Sequence, residues 1–95
     1  MMITHFIAHD NNDTVGVVVV EKIFAGEKVS GWIMETNQTI NIEVLEDVPL
    51  GHKLALREIK NKDTIVKYGN DIGRAISDIP KGGYVHVHNV KTKRW

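Results

Sequence analysis

Asp78-Ile79-Pro80-Lys81-Gly82-Gly83-Tyr84-Val85-His86-Val87-His88 joins a turn to a strand, and the turn has a second copy upstream. Asp47-Val48-Pro49-Leu50-Gly51-His52-Lys53-Leu54 repeats the order acid, β-branched residue, proline, any residue, glycine, two residues, apolar residue. Ile23-Phe24-Ala25-Gly26-Glu27-Lys28-Val29 is a looser third copy, with Ala25 in place of proline. Proline fixes φ and glycine accepts positive φ, so each copy predicts a tight turn that delivers the chain into a strand. Three such turns reverse the chain repeatedly in a compact all-β body. Too few units stand at too irregular a period for a solenoid.

Beyond the last turn, strict alternation from Tyr84 to His88 predicts a strand with Val85 and Val87 on a core face and Tyr84, His86 and His88 on the other. Histidines at i and i+2 on a strand have Cα atoms roughly 6.5–7 Å apart, near enough to converge on one small ligand or metal ion. Towards the N-terminus, Ile3 to His9 reads as a strand ended by the turn-forming cluster Asp10 to Asp13. Val15 to Val20 pairs with it as a hairpin, its β-branched run predicting cover on both faces. Glycine then punctuates the short apolar pieces Ile23 to Val29 and Gly31 to Met34. Thr39 to Val44 alternates as a half-exposed strand. Ala55 to Ile59 reads as strand or short helix, Asn61 to Asp63 as a turn, Thr64 to Lys67 as a strand, Tyr68 to Asp71 as a turn and Ile72 to Ile76 as a further strand.

Ninety-five residues suit one domain spanning residues 1–95, able to bury about 60–65% of its unfolded surface. That leaves little room for a complete enzyme. Apolar residues make up 42% and charged residues 25%, the balance of a folded globular chain. Twelve basic residues cancel twelve acidic ones, so no global field draws in nucleic acid or membrane, although Lys91, Lys93 and Arg94 form a local basic end. Cysteine is absent, which excludes disulfides, thiolate metal sites and a cysteine nucleophile. The N-terminus lacks the charged region and apolar run of a leader peptide, and the longest apolar block, Val17 to Val20, is too short to cross a bilayer. These features predict a cytoplasmic protein. The glycines form no phosphate-binding spacing.

Taken in order, Pro49-Leu50-Gly51-His52-Lys53, Lys67-Tyr68-Gly69 with Ile72-Gly73-Arg74, and His86-Val87-His88-Asn89 resemble the small subunit, or N-terminal domain, of the altronate and galactarate dehydratase family. The resemblance covers essentially the whole chain and implies a small β-clip, SAF-like domain. Val87 to Trp95, together with Gly31-Trp32-Ile33-Met34, look most like a branch that expels sulfite from sulfolactate to give pyruvate, where the dehydratases expel hydroxide from sugar acids. The family implies a two-part enzyme acting on a small anionic hydroxy-acid. Its large catalytic subunit would hold most of the machinery, including iron(II) or another divalent metal. His52, His86, His88 and Asn89 match the family's histidine motifs, and Lys53 and Arg74 are neighbours within matching motifs. No metal ligand in this chain follows from the resemblance.

Elimination beside a carboxylate needs a base for the α-proton, positive charge for the developing enediolate, and an acid or cation for the leaving group. His86, His88 and His52 are the candidates for proton transfer. Asn89, Lys53 and Arg74, with Arg57 beside them, are the candidates for holding the substrate anion, arginine being the better planar partner. A His-x-His pair on a strand is otherwise an ordinary solvated pair, and Lys67-Tyr68-Gly69 reads as a structural turn. His5 and His9 share a strand face without a further signal. Trp32 fits a core or an interface, and Trp95 fits a docking anchor on a partner chain. The rival from another class is a non-catalytic module that binds a small anion or assembles a complex. Edge strands would let the isolated chain form a homo-oligomer.

Overall fold

The computed structural model describes residues 3–91. The basic pair Lys93 and Arg94 and the anchor expected at Trp95 lie outside them. Among the described residues the chain forms no helix, as its lack of any long helical period requires. The strands are β1 (Phe6–Ala8), β2 (Val15–Val18), β3 (Lys22–Ile23), β4 (Lys28–Ile33), β5 (Gln38–Glu43), β6 (Val48–Pro49), β7 (Lys53–Ala55), β8 (Thr64–Lys67), β9 (Asn70–Ala75), β10 (Tyr84–Val85) and β11 (Val90–Lys91). Six of them make one sheet in the order β10-β7-β2-β1-β4-β5, three make a second in the order β11-β9-β8, and β3 pairs with β6. Only β1 and β4 run parallel among these pairs. The expected all-β architecture is the one observed.

The predicted turns are present, and each glycine adopts the conformation that requires glycine: φ is 90° at Gly26, 81° at Gly51 and 87° at Gly82. In each, the carbonyl two residues before the glycine accepts the N–H one residue after it: Phe24 from Glu27 at 3.1 Å, Pro49 from His52 at 3.1 Å and Pro80 from Gly83 at 2.9 Å. A fourth copy escaped the sequence reading. Lys60 accepts from the Asp63 N–H at 2.9 Å around Lys62, whose φ is 78°. Lysine in place of glycine and Lys60 in place of proline hid it.

The four turns pair off as a structural repeat. Ile23 lies opposite Val48, and Ile59 lies opposite Ile79. The acid that opens the later turn of each pair accepts a backbone N–H from the earlier one: Asp47 from Ala25 at 2.9 Å, and Asp78 from Asn61 at 2.8 Å. Between the turns of each pair runs a hairpin, β4–β5 in the first and β8–β9 in the second. By this correspondence His52 and Gly83 hold equivalent places, each just beyond its turn. Repetition of the acid therefore encodes a clasp between turns as well as a turn.

Burial divides the core in two. Phe6, Val18, Ile23, Val29, Ile42, Val44, Val48 and Leu54 are among the residues of one cluster, and Val15, Ile59, Ile65, Ile79 and Val85 are among those of the other. Each such side chain contributes about 1.5–3 kcal/mol of transfer free energy on burial. Gly31 does not break its strand, as its sequence context suggested, but sits inside β4 because the Phe6 ring occupies the space of a side chain there. A Cβ on Gly31 would lie 1.9 Å from that ring. Val15 to Val18 form β2, with Val15 and Val18 buried, whereas Val19 is exposed. Ala55 to Ile59 is neither a helix nor one strand: β7 ends at Ala55 and Ile59 forms a bridge to Ile79. Trp32 is partly exposed on β4, and its Nε1 donates to Asn37 Oδ1 at 2.9 Å.

Candidate functional site

The site grows from the last turn. Once Gly82 and Gly83 have turned the chain, Tyr84 and Val85 pair with Leu54 and Lys53 of β7, and the Tyr84 N–H donates to Glu46 Oε2 at 2.9 Å. Val85 enters the core. The expected strand from Tyr84 to His88 then stops, because Asn89 bends it. Asn89 Oδ1 accepts the His86 N–H at 2.9 Å, its Nδ2 donates to the Tyr84 carbonyl at 2.8 Å, and its own N–H donates to the His86 carbonyl at 3.0 Å. Val87, expected in the core, is 78% exposed at the tip of this turn. A buried side chain that satisfies two backbone groups outweighs the alternation signal here.

The turn still gathers the rings that a strand would have gathered. Tyr84 stacks on His86 with centroids 5.5 Å apart and meets the edge of His88 at 5.6 Å. His52, arriving from the equivalent turn, lies 4.6 Å from the His86 ring and 5.6 Å from the Tyr84 ring. Its Nδ1 is hydrogen-bonded to the Tyr84 hydroxyl. One imidazole nitrogen is thereby committed, and Nε2 is left for other partners.

Beside the rings opens a cavity of about 300 Å³ lined by Lys53, Lys67, Ile72, His86, Val87 and Val90. This is the lower end of the size range of small-ligand sites. Lys53 stands on β7 between β2 and β10, and Lys67 ends β8. The Lys67 Nζ lies over the Tyr68 ring, 5.5 Å from its centroid. Tyr68 and Gly69 are fixed from beneath: the Gly69 N–H donates to Oδ1 of Asp13 at 2.8 Å, and the His9 N–H donates to its Oδ2 at 2.8 Å. Asp13 is 1% exposed, and it tethers the turn that presents Lys67 to the β1–β2 turn. Partial burial, with Asp13 close by, pushes the Tyr68 hydroxyl above its usual pKa.

Charge in this cavity is one-sided. Burial and the nearby Lys67 ammonium hold Lys53 below the ordinary lysine value. Desolvation, together with His52, Lys53 and His88, holds His86 below the ordinary imidazole value. Such a pocket favours a neutral His86 that can take a proton and an anion that can answer the lysines.

The six candidates therefore part company. His52, His86, His88 and Lys53 come together, although His88 is exposed and touches the cluster only through Tyr84. Asn89 lies beneath the cluster, 7% exposed, with both ends of its amide bonded to backbone. Arg74 is exposed on β9 and does not line the cavity. Arg57 belongs to a different cavity of about 250 Å³, beside Asp10 and Lys81, and its guanidinium donates to the Asn11 carbonyl at 2.8 Å. Two residues of the site went unselected in the sequence. Tyr84 was legible, since it shares the parity of His86 and directly follows the glycines. Lys67 stood in the motif Lys67-Tyr68-Gly69 but read as part of a structural turn, with nothing local to place it in a cavity.

A divalent metal does not fit the residues described. Among them no group of three histidine or acidic side chains is arranged to hold an ion. The His52 and His86 rings lie 37° apart in plane at close approach rather than converging on a point, and one His52 nitrogen is already bonded to Tyr84.

Residues 4–93 match the family model described as the altronate/galactarate dehydratase SAF domain. A relative from Chromohalobacter salexigens, named (2R)-sulfolactate sulfo-lyase subunit alpha, is 51% identical over 90 residues, covering 95% of this chain and 96% of the relative. A protein of the same name from Paracoccus pantotrophus is 44% identical over 63 residues, which is 66% of this chain and 94% of that one. The altronate dehydratase of Bacillus subtilis is 41% identical over 87 residues, 92% of this chain but 16% of the larger protein.

Proposed function

We propose that this chain, which belongs to the altronate/galactarate dehydratase SAF domain family, is the small subunit of a lyase that eliminates sulfite from (2R)-sulfolactate to give pyruvate. The observation that carries this reading is its likeness to two proteins named as alpha subunits of that lyase, over 95% of this chain in one and 66% in the other. The name alpha implies a partner subunit, and in this reading the large subunit completes the pocket and holds any divalent metal, iron(II) or another. The chain acts as one SAF-like domain in the cytoplasm. Among the described residues, no helix is long and apolar enough to cross a membrane.

The site is compatible with the chemistry that this substrate requires. A base removes the proton from the carbon that bears the hydroxyl, the freed electron pair forms a carbon–carbon double bond, and the carbon–sulfur bond breaks with its pair leaving on sulfite. The resulting enol takes a proton at its terminal carbon, releases its hydroxyl proton and becomes pyruvate. His86, kept neutral by its surroundings, suits the base. The hydrogen-bonded pair His52 and Tyr84 suits the return of a proton to the enol. Proton transfer by a positioned side chain accelerates such steps by about 10²–10⁴-fold.

A second reading, as part of a hydro-lyase acting on altronate or galactarate, is favoured by the 41% identity to an altronate dehydratase. The test is to assemble this chain with its large subunit, supply ferrous iron, and assay sulfolactate, altronate and galactarate in parallel. Sulfite and pyruvate released only by the complex support the sulfo-lyase. Turnover of a sugar acid instead selects the dehydratase. Inactivity on all three in a verified complex leaves a binding or assembly module.

A further inference from the structure

We propose that Lys53 and Lys67 together form the seat of the substrate's sulfonate, and hence of the sulfite that leaves, and that Lys67 is a residue that sets specificity for a sulfonated acid. This rests on the lyase reading above for the identity of the substrate, but not for the presence of an anion site. Two lysines, one on β7 and one at the end of β8 with the Lys60–Asp63 turn between them, line one cavity with His86. No acidic residue lines that cavity among the described residues. Both side chains are half-buried, and their mutual repulsion is felt at Lys53. An arrangement that holds two like charges together in one cavity stabilises an anion that supplies the counter-charge.

Geometry favours sulfonate over carboxylate as that anion. A planar carboxylate is best met by the flat fork of arginine, and neither Arg57 nor Arg74 lines this cavity. Lysine is a compact point charge that can approach a tetrahedral head with three oxygens from independent directions. The leaving group fits as well. Hydroxide must be protonated as it departs. Sulfite departs as a stable anion and needs only positive charge beside it, which two ammonium groups provide. Ile72, Val87 and Val90 line the same cavity and give the carbon skeleton an apolar wall.

The experiment titrates the assembled two-subunit complex with sodium sulfite, and separately with pyruvate, by calorimetry. Wild type is compared with Lys67→Met, Lys67→Gln and Lys53→Met. Loss of one charged hydrogen-bonding partner is expected to weaken sulfite binding at least about tenfold in each variant. Pyruvate binding is expected to move less than about twofold, and the KM for sulfolactate to rise as sulfite binding weakens. Lys67→Gln keeps a polar side chain of similar length and guards against a packing defect in Lys67→Met. Unchanged sulfite affinity in both Lys67 variants, or no sulfite binding by wild type, overturns the proposal. Weakened pyruvate binding with sulfite unaffected also overturns it, because the pair then holds the carboxylate end. If the complex binds sulfite through both lysines yet releases none from sulfolactate, the seat stands and the lyase reading falls.

Discussion

Replacing Asn89 by alanine separates a residue that builds the site from one that binds substrate. Its amide makes two bonds, to the His86 N–H at 2.9 Å and to the Tyr84 carbonyl at 2.8 Å, from a side chain only 7% exposed. Neutral hydrogen bonds of this kind contribute about 0.5–1.5 kcal/mol each, so Asn89→Ala should lower stability by about 1–3 kcal/mol. In a domain of this size that corresponds to a fall in Tm of roughly 5–20 °C. Urea unfolding of the purified chain, followed by tryptophan fluorescence, should show a lower midpoint with an unchanged slope, since no new surface becomes exposed. In the assembled enzyme the same variant should lower kcat, because the turn that aims His86 loosens. Asn89→Asp keeps the acceptor for His86 but sets a carboxylate oxygen against the Tyr84 carbonyl, and should be no better. An unchanged urea midpoint together with a raised KM would refute this reasoning and return Asn89 to the substrate.

The repeated turns offer a matched pair: Gly51→Ala meets open space and should cost about 1–2 kcal/mol through positive φ alone, whereas Gly82→Ala puts its Cβ 2.1 Å from the Glu43 carbonyl oxygen and should cost several kcal/mol more in equilibrium unfolding. Equal losses at the two positions would disprove the steric part of that account. Gly31→Ala drives a methyl into the Phe6 ring and should lower stability by about 1–3 kcal/mol, read as a Tm shift. His86 binds its proton less tightly in the fold than in the unfolded chain, so its contribution to stability is intact above about pH 6.5 and is lost as pH falls through the lower native value. The acid limb of kcat/KM should accordingly lie below that of a free imidazole, and Lys53→Met should move it upward; a limb that stays in place in Lys53→Met would remove His86 as the titrating base. Tyr84→Phe should lower kcat about tenfold or more with little change in substrate KM, measured by steady-state sulfite release, because the His52 ring loses the bond to its Nδ1.

Much of the fold was written locally. The acid, proline and glycine pattern at Asp47 to Gly51 and at Asp78 to Gly82 specifies turns whose φ values no other arrangement of those residues satisfies so readily. The alternation of Tyr84 with His86 and His88, and the place of His52 just beyond the matching turn, made all four clustered rings legible locally. Parity failed one residue further on. Val87 obeys the strand pattern and is nevertheless exposed, because the amide of Asn89, the residue just beyond the alternation, captures the backbone of Tyr84 and His86. Local sequence cannot weigh a buried hydrogen-bonding side chain against a hydrophobic alternation, since the outcome depends on what covers each.

Lys67 and the fourth turn mark the same boundary. Lys62 holds positive φ in a turn closed by the Asp63 N–H on the Lys60 carbonyl, with its own N–H donating to the Ala75 carbonyl, and a turn at Asn61 to Asp63 was legible while its kinship to the other three was not. Lys67 reaches Lys53 only because Asp13, from a turn more than fifty residues earlier, anchors Gly69. The sequence by itself determined that the chain is all-β, where it turns and which imidazoles it carries. The tertiary structure alone decided that two lysines line one cavity with no acidic residue beside them among the described residues, because charge convergence is a property of packed strands and not of spacing along the chain.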